Sequence, residues 1–137
     1  MYIYNVQIRT RYNETDKMGV VYHANYINYY EIARTEMLRN TGIYSYNEME
    51  ADGIMMPVVE IQSKYIFPAY YDEILTVRIT IKELPTVKMT FYYEVFNEKQ
   101  KLLNTGMTTL AFMNANTRRP CRPPQKLINC FQKWNEI

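Results

Sequence analysis

One long helical pattern, followed by sequence that is nearly all strand-forming, limits what this chain can fold into. Over residues 24–40, Tyr26, Tyr30, Ala33 and Met37 recur at spacings of four, three and four. On a helix that spacing lines them up as one apolar stripe. Ile27, Tyr29 and Leu38 widen it. A stripe this broad on a helix this long is made to lie across a sheet. Glu31 and Arg34 stand three apart on its flanks, as do Glu36 and Arg39, and both pairs are expected to form ion pairs. Arg39 also suits the negative end of the helix, and Gly42 supplies a stop. A shorter helical turn is expected over residues 45–50, capped by Ser45 and ended by Gly53.

Strand patterns fill most of the rest. Residues 2–8 are rich in strand formers, and residues 13–19 are polar, contain a glycine and read as a loop. Residues 57–67 read as a strand stopped by Pro68. In residues 73–82, Leu75, Val77, Ile79 and Ile81 alternate with Ile74, Thr76, Arg78, Thr80 and Lys82. A turn over 83–86 leads to a strand over 87–96, and a tight connection over 97–100 leads to one over 101–113. Three adjacent strands with short turns predict an antiparallel meander. The strand over 87–96 puts Val87, Met89, Phe91, Tyr93 and Val95 on one side and the mixed set Lys88, Thr90, Tyr92, Glu94 and Phe96 on the other. The order strand, long helix, four strands defines an α+β chain. A sheet covered on one face, with open edges, usually oligomerises. No repeat or linker divides residues 1–137, so one domain is expected.

Composition narrows the function. Sixteen basic and fourteen acidic side chains leave a net charge of +2, too mild to point to nucleic acid. No apolar run approaches the ~20 residues that span a bilayer. His23 is the single histidine, and with only Cys121 and Cys130 beside it no metal-ligand spacing arises. No secretory leader pattern precedes the first charges, so reduced thiols and a cytoplasmic location are expected. The same scarcity of histidine leaves either cysteine without a base to make it a nucleophile. Fourteen tyrosines and nine methionines suit pockets and subunit interfaces.

The densest chemical signal lies just before the long helix, from Arg11 to Tyr26. Asp16 sits in a loop, Gly19 follows three residues later, and the helix opens a few residues beyond. A helix start presents unpaired N–H groups and partial positive charge, which can polarise a carbonyl oxygen. A carboxylate held nearby can attack the carbonyl carbon or activate water. Gly19 lets the backbone pass close to a ligand. From composition alone, an Asp placed like Asp16 is more often a turn or cap residue, and His23 at a helix start more often structural.

The stretch Tyr12-Asn13-Glu14-Thr15-Asp16-Lys17-Met18-Gly19-Val20-Val21-Tyr22-His23-Ala24-Asn25-Tyr26, continued by Tyr29-Tyr30-Glu31-Ile32-Ala33-Arg34, resembles the signature of hot-dog thioesterases. The likeness is to the hydroxybenzoyl-CoA thioesterase-like branch, which includes short acyl-CoA thioesterases associated with the Tol–Pal system. Val58-Val59-Glu60, Lys64-Tyr65, Pro68-Ala69, Asp72-Glu73 and Arg118-Arg119-Pro120 before Pro123-Pro124 extend it over nearly the whole chain. The resemblance implies a hot-dog fold, a central helix wrapped by a five-stranded antiparallel sheet, assembled as homodimers or homotetramers. It implies hydrolysis of an acyl-CoA thioester, or of an acyl-carrier-protein thioester, without cofactor. The family's catalytic aspartate falls on Asp16, and its motif tyrosine and histidine fall on Tyr12 and His23. The main-chain N–H at position 23 is implied to hold the thioester carbonyl, with Gly19 and Val20 lining the substrate. Lys88, Arg118 and Arg119 match phosphate-binding positions, a role their charge suits. Glu31 matches a helix glutamate and is a minor catalytic candidate beside its expected pairing with Arg34. A non-catalytic acyl-CoA binding module is the rival reading, and a hydratase a weaker third, lacking its expected histidine and aspartate arrangement.

Overall fold

The computed structural model describes residues 1–135. Strand β1 (Tyr2–Arg9) leads through a single 3-10 turn (Tyr12–Glu14) into helix α1 (Asn25–Thr41) and then α2 (Tyr46–Ala51). The chain continues as β2 (Ile54–Met55), β3 (Val58–Tyr65), β4 (Ile74–Ile81), β5 (Lys88–Phe96), β6 (Leu102–Ala111), β7 (Met113–Asn114) and α3 (Gln125–Asn135). Five strands form one antiparallel sheet in the order β1-β4-β5-β6-β3, and β2 and β7 pair separately. The fold is α+β, with the long helix against the sheet as the stripe requires.

Alternation in the strands becomes the core. Leu75, Val77, Ile79 and Ile81 of β4 and Met89, Phe91, Tyr93 and Val95 of β5 are buried, facing Tyr26, Tyr29, Tyr30, Ala33, Met37 and Leu38 of α1. Ile27, included in the sequence stripe, instead lies 37% exposed beside it. Helix α1 stops where Gly42 turns left-handed at φ 68° and its N–H bonds Arg39 O at 3.2 Å. Ser45 caps α2 by accepting from Glu48 N at 3.2 Å.

Three features depart from the sequence reading. Glu31 does not pair with Arg34. Arg34 turns inward, only 7% exposed, and donates from Nη1 to Tyr93 Oη at 3.1 Å, while Glu31 stays in solvent. Glu36 and Arg39 do pair. The strand expected over 101–113 breaks at Phe112, whose ring is buried and whose carbonyl accepts from Cys121 N at 3.0 Å. The chain then leaves the sheet and pairs with β2 instead. Helix α3, with no counterpart in the sequence reading, buries Leu127, Cys130 and Phe131, and Phe131 meets the Tyr2 ring edge-on at 5.3 Å.

β3 is an edge strand, and Val58, Val59, Ile61 and Tyr65 along it remain exposed. Its two ends separate the groups of interest. Tyr65 pairs with Asn104 at one end, while Val58 pairs with Leu110 at the other, next to Ala111 and its partner Lys88.

Candidate active site

The loop between β1 and α1 folds back on itself. Asp16 N donates to Val20 O at 2.9 Å and Tyr22 N to Glu14 O at 2.8 Å, so residues 14–16 run antiparallel to residues 20–22. The reversal needs Gly19, at φ 79°, whose N–H bonds Asp16 O at 3.0 Å. Asp16 is half-buried there. Its Oδ1 accepts the Met18 N–H at 2.8 Å, a turn-closing bond that holds the carboxylate in place.

Glu14 ties this loop to the helix. Its carbonyl accepts Asn25 Nδ2 at 2.8 Å, and its Oε1 accepts Tyr29 Oη at 2.9 Å and Arg11 N at 2.8 Å. Burial, with the Glu14 carboxylate beside it, pushes the Tyr29 phenol far up, so it stays a donor. Val21 N bonds Ala69 O at 2.8 Å, and Val20 forms a bridge with Tyr70, which fixes the loop to the chain leaving β3.

Helix α1 opens without a side-chain cap. Ala24 occupies the cap position, and the first-turn N–H groups bond three residues back: Asn25 N to Tyr22 O at 3.0 Å, then Tyr26 N to His23 O and Ile27 N to Ala24 O, both longer at 3.3 Å. Among the described residues no acceptor meets the main-chain N–H of His23 or of Ala24. Such orphan donors form the positive end of the helix.

Aromatic rings surround this corner. The exposed His23 ring lies 4.2 Å from that of Tyr22 and 6.2 Å, edge-on, from that of Tyr65. Tyr65 also meets Tyr26 edge-on at 5.3 Å, and its hydroxyl donates to His23 O at 2.9 Å. Burial pushes the Tyr26 phenol up to about 12. Tyr12 is 78% exposed, its ring edge-on to Tyr71 at 5.7 Å.

The fold therefore gathers Tyr12, Asp16, Gly19, Val20 and His23 on one short doubled loop. Lys88, Arg118 and Arg119 lie elsewhere. The arginines sit in the turn after β7, pinned by Arg118 N to Asn114 O at 2.9 Å and Asn114 N to Arg119 O at 2.9 Å. That turn and Lys88 belong to the Val58 end of the sheet, whereas Asp16 and His23 belong to the Tyr65 end. An eight-residue strand separates these ends by roughly 23 Å at the usual rise per residue. Sequence reasoning assigned no role to Glu14, Asn25, Tyr29 or Tyr65. All four stand in the stretches that carry the family resemblance, but the only individual signal was that of Tyr29, for burial in the helical stripe.

A long helix against a five-stranded antiparallel sheet in this strand order defines the hot-dog class of fold. The chain belongs to the thioesterase-like superfamily, whose family model matches residues 10–131. It is 29% identical over 126 residues to the acyl-CoA thioester hydrolase YbgC of Escherichia coli O6:H1, covering 92% of this chain and 93% of that protein. A DHNA-CoA thioesterase from Staphylococcus aureus superposes with a TM-score of 0.85 at 36% identity, covering 99% of this chain and 88% of the other. A 1,4-dihydroxy-2-naphthoyl-CoA thioesterase from Synechocystis shares the fold, with a TM-score of 0.89 at 20% identity over 98% of each chain. No helix among the described residues is long and apolar enough to cross a membrane.

Proposed function

We propose that the chain hydrolyses an acyl-CoA thioester to a carboxylic acid and free CoA, with Asp16 as the reacting carboxylate. One observation carries the reading: the N–H groups of His23 and Ala24, without an acceptor among the described residues, open α1 directly after the doubled loop that holds the Asp16 carboxylate. The donors hold the carbonyl oxygen and stabilise the negative charge that gathers on it. Asp16 takes a proton from water as the oxygen adds to the carbonyl carbon, or adds to that carbon itself. The tetrahedral adduct collapses, the C–S bond breaks, and the thiolate leaves and is protonated. If Asp16 adds first, water then cleaves the resulting anhydride.

Gly19 and Val20 line the approach to Asp16, and Tyr12 flanks it. Lys88, Arg118 and Arg119 bind the phosphates of CoA. Their distance from Asp16 within one chain supports a site shared between subunits of a homodimer, and a homotetramer of two such dimers is the assembly the family resemblance implies. Two copies laid antiparallel along the exposed β3 edge bring the Val58 end of one beside the Tyr65 end of the other. Acyl carrier protein, with the same thiol arm, is the competing donor. A CoA ester as substrate places the work in the cytoplasm, where the free thiols Cys121 and Cys130 stay reduced.

The rival, a binding module, has no use for a positioned carboxylate, and release of free thiol from a panel of acyl-CoAs separates the two. Asp16→Asn keeps shape and removes charge. Turnover is expected to fall by ~100-fold or more while acyl-CoA binding survives. Near-normal turnover by this variant overturns the assignment.

A further inference from the structure

The peptide unit joining His23 to Ala24 has two ends, and the fold treats them differently. Its carbonyl oxygen is held twice, by Tyr65 Oη at 2.9 Å and by Tyr26 N at 3.3 Å. Its N–H, that of Ala24, meets no acceptor among the described residues. Helix starts are usually steadied by Ser, Thr, Asp or Asn at the cap, but Ala24 offers no side chain for that purpose. The helix bond to its carbonyl, from Tyr26 N, is long at 3.3 Å, so this peptide plane is loosely held by the helix alone. Tyr65 reaches it from 42 residues away in sequence, off the end of β3.

The tyrosine is itself oriented. Its ring stands edge-on to His23 at 6.2 Å and to Tyr26 at 5.3 Å, contacts that fix it in two directions. Yet it remains 48% exposed, so its ring does little for the core. Phenylalanine would keep those ring contacts. The hydroxyl is the part that needs a reason. A donor on an amide oxygen draws electron density through the amide and makes its N–H a stronger donor in turn.

We propose that Tyr65 is a positioning residue: its hydroxyl fixes and polarises the His23–Ala24 peptide, so that Ala24 N–H joins His23 N–H in holding the thioester oxygen. This rests on the thioesterase reading above. Tyr65 touches neither the thioester nor the water, and acts only through the peptide.

Tyr65→Phe tests it in two ways. For acyl-CoA hydrolysis, kcat is expected to fall about 10-fold, short of the ~10²–10³ lost when an oxyanion donor is removed outright, with KM unchanged. The second readout is the carbonyl stretch of thioester bound to Asp16→Asn enzyme, which should lie below that of free thioester. Adding Tyr65→Phe to that variant should move the stretch back toward the free value, an effect that loss of packing alone would not produce. An unchanged kcat, a loss confined to KM, or an unmoved carbonyl stretch overturns the proposal. If Tyr65→Phe does not assemble, a ring-fluorinated tyrosine at position 65 keeps the shape and donates more strongly. The stretch must then fall further, and its failure to move overturns the proposal equally. Normal turnover by Asp16→Asn alone would instead overturn the underlying reading, whatever Tyr65 does.

Discussion

Position 23 offers a carbonyl oxygen two donors, the imidazole and the main-chain N–H. The imidazole is exposed and leans on Tyr22, whereas the N–H sits at the helix start with no acceptor among the described residues. A backbone donor survives truncation of its side chain. His23→Ala is therefore expected to keep a substantial fraction of kcat. His23→Pro removes the N–H and should lose ~100-fold or more. Proline also restricts Tyr22, so circular dichroism and light scattering must first show the variant folded and assembled. Equal inactivity of His23→Ala and a folded His23→Pro would make the imidazole the donor. At this scale the sequence was legible where a motif has fixed spacing, as from Tyr12 to Tyr26. It was illegible where a side chain chooses between two partners. Glu31 and Arg34 have the spacing of a surface ion pair, but the guanidinium goes instead to Tyr93, a residue 59 positions away. Spacing along one helix carries no information about what the sheet offers from below.

Among the elements, the contact of α1 with the sheet turns on Gly106. In β6 it pairs with Ser63 of β3 on one side and Tyr93 of β5 on the other. The Tyr30 ring fills the space above it, stacked on Tyr93 at 4.2 Å, and Tyr30 Oη bonds Ser63 Oγ at 2.8 Å and also Asn104 Oδ1. A Cβ at position 106 would collide with the Tyr30 side chain, at its Cζ and Oη atoms. Gly106→Ala is therefore expected to cost about 1–3 kcal/mol as an overpacked core does, or more if the stack must open. Urea unfolding with an unchanged m-value measures it. A loss below ~0.5 kcal/mol, the scale of an ordinary surface substitution, would show that the ring moves freely aside. This contact also explains why strand order was only partly readable. Short turns announce the β4-β5-β6 meander. Nothing local places β3 beside β6, since that pairing is held by Tyr30, Ser63, Asn104 and the absent side chain of Gly106. Helix α3 was legible in principle, for Leu127, Cys130 and Phe131 keep helical spacing after Pro123 and Pro124.

For the whole molecule, the question is whether one chain makes a site. Asp16 and His23 lie at the Tyr65 end of the sheet, and Lys88, Arg118 and Arg119 at the Val58 end. In the proposed antiparallel β3 dimer, each Asp16 works with the partner's arginine turn. Arg119→Ser should then raise KM for acyl-CoA about 10-fold, the scale of one charge-assisted bond of ~1.5 kcal/mol. It should change KM little for an acyl-pantetheine that lacks the phosphates. Subunit sharing makes a sharper demand. Co-expressing Asp16→Asn and Arg119→Ser chains under different affinity tags allows the mixed dimer to be isolated. One of its sites combines both substitutions and is dead. The other combines an intact Asp16 from the second chain with an intact Arg119 from the first. The mixed dimer should therefore hydrolyse acyl-CoA with wild-type KM and half the wild-type kcat, although neither parent variant does so. If both residues served the same chain's site, the only active site would carry Arg119→Ser and the raised KM would persist. Persistence of that raised KM in the purified mixed dimer would refute the shared site.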